Sequence, residues 1–203
     1  MNGEGMDPDD LRAMVDEHLD VATQLRDTLL ERIDAIASAI TQALEAGNKV
    51  VTFGNGGSAA DAQHLAAELI GHYRADRRSL PAVALTTDSS VLTAIANDFE
   101  FDEVFARQVR ALVNSGDVVV AISTSGEAEN VLRGVTAARQ RGATTVAFTG
   151  SRGRLGQLAE HTLAVPSTET ARIQEMHVLA IHLISERIDA WALHSGTPTT
   201  GAQ

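Results

Sequence analysis

Residues 49–58 read KVVTFGNGGS, and they carry the clearest indication of the fold. Its first five residues are rich in β-branched and aromatic side chains, which is typical of a strand buried on both faces of a parallel sheet. The strand runs into a glycine-rich turn, and a helical pattern of apolar residues follows. Residues 117–126, DVVVAISTSG, show the same order of strand, polar turn and helix start. Both stretches therefore predict strand-to-helix units of an α/β domain.

Five short apolar runs predict the strands of one parallel sheet. They lie at residues 49–53, 82–85, 117–122, 144–148 and 162–165. Helical patterns follow at about residues 59–71, 89–96, 102–114, 127–141 and 154–159. The alternation predicts a doubly wound α/β domain with a five-stranded parallel sheet.

Long amphipathic patterns flank this unit at about residues 8–46 and 170–194. Each predicts a single helix whose apolar stripe has to be buried, and a helical bundle between subunits is the simplest way to bury it. We place one domain, with its N-terminal helical arm, at residues 10–194. The ends, residues 1–9 and 195–203, are expected to be disordered tails.

Composition narrows the class of protein. The formal net charge of −11 argues against a nucleic-acid surface, which needs basic residues to neutralise backbone phosphates. The absence of cysteine excludes disulfides and thiolate sites. No apolar run resembles a signal peptide or a membrane span, so we expect no membrane contact and a cytoplasmic protein.

Two turns are candidate anion sites. The glycine loop, residues 54–58, lets the backbone approach a ligand closely and presents N–H groups of the following helix to it. Its Ser58 can either cap that helix or donate to the ligand. The hydroxyl loop, residues 123–126, combines Ser123, Thr124 and Ser125 with a glycine at the next helix start. Two such loops on neighbouring strands favour phosphate binding.

Two helices carry candidate acid–base groups. His64 and Glu68 are four residues apart after the glycine loop, so they share one helix face. A pair of this kind is often a surface ion pair. Gln174 and His182 are eight apart on the last helix and could point into one cleft. His182 lies in an apolar stripe, where a buried imidazole needs a partner.

Four motifs, taken together and in this order, resemble the phosphoheptose isomerases of the SIS (sugar isomerase) superfamily. They are GNGGSAADAQHLAAEL at residues 54–69, LTAIANDF at 92–99, AISTSGEAENVL at 121–132 and RIQEMHVLAIH at 172–182. The resemblance covers about residues 10–190. It implies a SIS domain that converts sedoheptulose 7-phosphate to D-glycero-D-manno-heptose 7-phosphate through an enediol(ate), in a homotetramer with sites at subunit interfaces and one zinc ion per subunit.

The resemblance also implies roles for individual residues. The metal ligands are His64, Glu68, Gln174 and His182, and the acid–base pair is Glu68 and His182. The substrate contacts are Asn55, Gly56, Gly57, Ser58, Glu68, Asn97, Asp98, Ser123, Thr124, Ser125 and Gln174. A carboxylate and an imidazole can move the protons that such an isomerisation requires.

Two features leave alternatives open. The hydroxyl loop continues with Glu127 and Ala128, where the family has asparagine and serine, so one phosphate donor is missing. Residues 79–98 also resemble a catalytically silent SIS tetramer that binds the replication initiator DnaA. That branch lacks the groups matching Glu68 and His182, which favours the enzyme here. A SIS module that senses sugar phosphates is a third alternative, although that class normally carries a DNA-binding domain.

Overall fold

The five predicted strands form one parallel sheet in the computed structural model, which describes residues 7–195. The strands are β1 (Val50–Gly54), β2 (Ala82–Ala84), β3 (Val118–Ser123), β4 (Thr144–Thr149) and β5 (His161–Ala164). Their order across the sheet is β2-β1-β3-β4-β5, and every neighbouring pair is parallel. The predicted doubly wound architecture is confirmed.

Eight helices surround the sheet in the described part of the chain. They are α1 (Pro8–Thr28), α2 (Leu30–Glu45), α3 (Gly57–Ile70), α4 (Ser89–Asp98), α5 (Val104–Leu112), α6 (Glu129–Gln140), α7 (Leu155–Leu158) and α8 (Thr170–Ser195). A short 3₁₀ turn, Phe101–Glu103, precedes α5.

The sheet is buried on both faces because the side chains of each strand alternate between two layers of helices. Val118, Val120 and Ile122 of β3 belong to the cluster formed with α2, α3 and α8. Val119 and Ala121 point the other way and pack with α5 and α6. The continuous apolar runs in the sequence are the consequence of this two-sided burial.

The N-terminal region differs from the single helix that its sequence predicts. The helix breaks at Leu29, where the backbone has φ −118°, and α2 continues from the next residue. No glycine or proline stands at the break, so the sequence carries no signal for it. The α2 segment is buried against the core, with Ile33, Ile36 and Ile40 almost fully enclosed.

The predicted tails fall largely outside residues 7–195 and are not described there. Within the described part, the Asp7 side chain caps α1 by accepting hydrogen bonds from two backbone N–H groups of the first turn. The first helix therefore begins at Pro8, inside the predicted tail. At the other end α8 extends to Ser195.

The first half of α1 presents apolar side chains that residues 7–195 of one copy leave exposed. Leu11, Met14, Val15 and Leu19 are between 41% and 57% exposed. Only Val21 and Leu25 of this helix are buried. The apolar stripe predicted along the arm is thus partly unpaired within one copy of the chain.

Candidate active site

The glycine loop and the hydroxyl loop lie side by side at the carboxyl edge of the sheet. From β1 the chain passes to β2 on one side, and it then crosses to β3 on the other side of β1. Open α/β sheets bind ligands at such a switch point, in the crevice beyond the strand ends. Gly54 pairs with Ile122 across the two strands, so both loops leave the sheet at the same level. Their predicted adjacency is confirmed.

Glycine is required at two positions of the glycine loop for different reasons. Gly56 has φ +56°, a backbone conformation that other residues rarely adopt. At Gly57 the amide of Gln174 lies where a Cβ would stand, so a larger residue there would displace the Gln174 side chain. The N-cap of α3 is Gly56, so Ser58 does not cap the helix; it is buried in the first turn.

Asn55 joins the glycine loop to the start of α6. Its amide nitrogen donates to Oδ1 of Asn130 at 2.8 Å, and the Asn130 amide donates back to Oδ1 of Asn55 at 2.9 Å. Sequence analysis assigned Asn55 to the substrate and missed Asn130, which is buried. The reciprocal pair ties the glycine loop to the first turn of α6, which follows the hydroxyl loop.

The hydroxyl loop is folded by its own serines. Ser123 Oγ accepts the N–H of Gly126 and Ser125 Oγ accepts the N–H of Glu127, both at 3.2 Å. The loop opens onto a cavity of about 420 Å³. The residues that line this cavity are Thr124, Ser125, Glu127, Ser151, Arg152, Gly153, Ser167 and Thr168. Sequence analysis missed the last five, because they come from turns after β4 and β5 that carry no recognisable motif.

The charge of Glu127 is balanced by a neighbouring arginine. The carboxylate accepts hydrogen bonds from Arg154 Nε at 2.7 Å and from the Arg154 backbone N–H at 3.0 Å. This hydrogen-bonded guanidinium lowers the pKa of Glu127 below its usual range. The helix α6 begins at Glu129, two residues later than predicted, and Ala128 is its N-cap without any side-chain hydrogen bond.

Three side chains converge where α3 packs beside α8. His64 Nε2 lies 2.9 Å from Glu68 Oε1, and the rings of His64 and His182 meet edge to face with centroids 5.0 Å apart. All three are partly buried, and one potential ligand atom from each lies within 4.8 Å of the others. We call these three residues the histidine–glutamate group. The predicted helix-face pair and the predicted cleft partner do come together.

The other predicted site residues on helices lie on α8 and at the end of α4. Gln174 reaches the glycine loop at Gly57, about two helical turns from His182 along α8. Asn97 and Asp98 are exposed at the end of α4, where the Asn97 amide donates to Asp98 at 2.8 Å. No hydrogen bond among the described residues joins them to the loops or to the histidine–glutamate group.

Asp61 is a further polar group beside this site. It is buried one turn before His64 on α3, and its Oδ2 has no hydrogen-bond partner in the part of the chain that is described. Burial raises the pKa of Asp61 to about 6, and the nearby His64 opposes the rise. Its spacing from His64 and Glu68, three and seven residues, places it on their helix face. That spacing was a usable signal in the sequence.

The sequence and the fold are similar to those of known proteins. The SIS domain family profile matches residues 14–150. The phosphoheptose isomerase of Aquifex aeolicus is 54% identical over 160 residues, which span 78% of this chain and 84% of that protein. The phosphoheptose isomerase of Bradyrhizobium sp. is 49% identical over 186 residues, 90% of this chain and 94% of that protein.

Two solved structures are similar along almost their whole length. The phosphoheptose isomerase GmhA from Neisseria gonorrhoeae superposes with a TM-score of 0.84 at 44% identity, covering 89% of this chain and 97% of that chain. A phosphoheptose isomerase from Francisella tularensis gives a TM-score of 0.87 at 36% identity, covering 90% and 97%.

The fold and site define an α/β protein whose ligand crevice lies at the switch point of a parallel sheet. The chain belongs to the SIS domain family, and within that family to the phosphoheptose isomerases. The relatives named above give the DnaA-binding alternative no support. Separately, none of the helices within residues 7–195 is both long and apolar enough to cross a membrane.

Proposed function

We propose that the protein is a phosphosugar isomerase that converts sedoheptulose 7-phosphate to D-glycero-D-manno-heptose 7-phosphate. The observation that carries the proposal is the histidine–glutamate group beside two neutral anion-binding loops at one sheet edge. The relatives with 46–54% identity that bear the phosphoheptose isomerase name support the same conclusion. A carboxylate and an imidazole next to a phosphate cradle are the parts that an aldose–ketose isomerase requires.

The proton transfers can be assigned to Glu68 and His182. Glu68 removes a proton from C1 of the ketose while His182 donates one to the C2 carbonyl oxygen, which gives an enediol. The C1 hydroxyl then gives its proton to the now neutral imidazole of His182, as the protonated carboxyl group of Glu68 delivers its proton to C2. Both side chains end in their starting protonation states. General acid–base catalysis of this kind contributes about 10²–10⁴-fold to the rate.

The hydroxyl loop is the proposed phosphate site. Thr124 and Ser125 line its cavity and offer neutral donors, the buried Ser123 directly precedes them, and Arg152 adds a positive side chain to the same lining. Among the described residues Arg152 forms no ion pair, whereas the neighbouring Arg154 is engaged by Glu127. The phosphate does not react, so its binding energy holds C1 and C2 in register with the acid–base pair.

The donor set of the histidine–glutamate group fits a zinc ion. Two imidazoles and one carboxylate are ligands that catalytic zinc sites use, with a further position left open. His64, Glu68 and His182 would hold the ion, and Gln174 is the proposed fourth ligand. A bound zinc supplies Lewis-acid polarisation of the sugar carbonyl. Zinc and a cytoplasmic location stay predictions.

A homotetramer with shared sites accounts for two further observations. The apolar side chains at the start of α1 are exposed in a single copy, and α4 buries none of its residues. Asn97 and Asp98, the predicted substrate contacts on α4, do not bond to the site of their own chain. In the proposal these two residues complete the site of a second copy. The mass of the protein in solution, measured by light scattering, tests the assembly.

The activity is tested by incubating the purified protein with sedoheptulose 7-phosphate and following the products by NMR. We expect aldose signals to appear, to stop growing after a chelator is added and to resume when zinc is restored. The same experiment with unphosphorylated sedoheptulose serves as the control and should be far slower. Absence of product in the zinc-supplemented sample would contradict the proposed reaction.

A further inference from the structure

An aromatic ring outside the predicted site lies directly on one of its imidazoles. The rings of Tyr73 and His182 are stacked, with centroids 5.4 Å apart and an angle of 24° between their planes. The other ring neighbour of His182 is His64, which meets it edge to face. Stacked aromatic pairs favour one relative orientation over others, so Tyr73 limits how the imidazole can turn.

Tyr73 belongs to a segment that crosses from α3 to the sheet edge, residues 71–80, which we call the strap. A single buried carboxylate fixes the strap to α8. Asp189 accepts the backbone N–H groups of Arg74 at 2.8 Å and Ala75 at 3.0 Å. It also accepts Arg77 Nε at 2.7 Å, and both side chains of this ion pair are at most 5% exposed.

The guanidinium of Arg77 binds the strap to the end of α3 as well. It donates to the carbonyl oxygen of Glu68 at 2.7 Å and to that of Leu69 at 2.9 Å. These carbonyls belong to the last turn of α3 and have no partner within the helix. The helix that carries His64 and Glu68 and the helix that carries His182 are thus tied through one buried ion pair.

The hydrogen bonds that Asp189 accepts keep its carboxyl group ionised. Burial alone would raise the pKa of the carboxyl group, but the hydrogen bonds from Ala75, Arg74 and Arg77 outweigh burial and lower the pKa below its usual range. The anchor therefore stays ionised at neutral pH and keeps all its hydrogen bonds. The anchor begins one residue beyond Tyr73 and so fixes the backbone position from which this ring reaches His182.

We propose that Tyr73 is a positioning residue, which holds the imidazole of His182 in the orientation that faces His64 and Glu68. The role belongs to the aromatic ring rather than to the phenolic hydroxyl. The inference rests on the proposed function only for its kinetic consequence, since the ring contact itself is independent of the reaction. A misoriented acid–base group slows the chemical step and leaves binding of the phosphate unchanged.

The test compares two variants of the full-length protein. Tyr73→Phe keeps the ring and should retain kcat and KM close to the wild-type values. Tyr73→Leu removes the ring and should lower kcat at least about tenfold, as loss of a group that orients a functional histidine does, with KM for sedoheptulose 7-phosphate changed less than twofold. Trp191→Leu is the matched control. Trp191 contacts the strap through Arg78, whose guanidinium carbon lies 5.6 Å from the indole centroid.

A measurement without substrate or metal examines the contact itself. In the proton NMR spectrum of the metal-free protein, the His182 ring protons should be shifted by the ring current of Tyr73. The shift should persist in Tyr73→Phe and disappear in Tyr73→Leu. If the wild type has no isomerase activity while the ring-current shift behaves as expected, the proposed function fails and the positioning contact stands.

Other outcomes overturn the inference. A Tyr73→Leu enzyme with wild-type kcat removes the positioning role, and so does an equal loss of kcat in Tyr73→Phe. An equal loss in Trp191→Leu would assign the effect to docking of the strap as a whole. Thermal denaturation checks that each variant is folded, and Tyr73→Gln replaces the leucine variant in every comparison should that one not fold.

Discussion

The two ends of the candidate site are built in different ways. The histidine–glutamate group comes from two helices, and its geometry depends on how α3 packs beside α8. The hydroxyl loop is a single turn at the end of β3 that folds through its own serine hydroxyls. The first end depends on the packing of two helices. The second is shaped by hydrogen bonds within one turn and is tied to the β4 side by the N–H groups of Gly150 and Leu155, which donate to the carbonyl oxygens of Thr124 and Gly126. This difference suits their proposed tasks, because proton transfer tolerates little misplacement while phosphate binding tolerates more.

The largest effect on kcat is expected from changes in the histidine–glutamate group. Glu68→Gln and His182→Ala should each lower kcat by about 10²–10⁴-fold, because each removes one partner of the proton transfers. Steady-state kinetics with sedoheptulose 7-phosphate measures the loss. Glu160→Gln, which changes an exposed glutamate in the same way, is the control. Near wild-type kcat in either site variant would remove that residue from the mechanism.

The next effect concerns the anchor between the two helices. Asp189→Ala leaves the buried guanidinium of Arg77 without its carboxylate and should lower the free energy of unfolding by about 3–5 kcal/mol. Asp34→Ala is the matched control, since it breaks the exposed ion pair of Arg187 on the same helix. That change should cost about 0–1 kcal/mol. Urea denaturation compares the two, and equal losses would contradict the importance of the buried pair.

The free energy of unfolding is expected to depend on pH through a buried histidine near the end of β4. His177 is completely buried, and its Nε2 lies 3.4 Å from the carbonyl oxygen of Thr149, the residue that ends β4. Burial lowers the pKa of His177 to about 4, although the Thr149 carbonyl opposes the change. The unfolded chain takes up this proton near pH 6.5, so only the unfolded state is protonated between pH 6.5 and 4.

Because only the unfolded state binds this proton, the protein should become less stable as the pH falls. As the pH falls from 6.5 to 5, His177 should remove about 2 kcal/mol from the free energy of unfolding, and the loss should be complete near pH 4. Denaturant titrations of wild type and His177→Leu at pH 7 and pH 5 measure it, and the variant should lose less stability in acid. His72→Gln, a change of an exposed histidine, should keep the wild-type pH dependence.

The smallest effect is expected in the hydroxyl loop. Ser125→Ala should raise KM several-fold with little change in kcat, because the phosphate contact is the same in the ground and transition states. Ala128→Ser should lower KM several-fold by restoring a donor. Since Ala128 is the N-cap of α6, the serine should also add about 1 kcal/mol to the free energy of unfolding. A higher KM in Ala128→Ser would point to a different sugar phosphate.

The sheet, the glycine loop, the hydroxyl loop and the His64–Glu68 pair could all be predicted from the sequence. Each of these follows from short-range geometry: a strand buried on both faces must be apolar throughout, and residues four apart must share a helix face. The order of motifs also placed the chain in its family. Even here the break at Leu29 was missed, because no helix-breaking residue stands there.

The tertiary structure was needed to show which other distant groups meet. The family motifs implied that His182 joins His64, but nothing in the sequence indicated that Tyr73 stacks on His182 or that Asp189 binds the strap. The contacts depend on the relative rotation and separation of α3 and α8, which the whole core sets through close packing. The family motif also assigned Asn97 and Asp98 to the site, and among the described residues they hydrogen-bond to each other but not to the two loops or to the histidine–glutamate group. The sequence shows which functional groups each short segment carries, whereas their meeting in space depends on how the whole molecule packs.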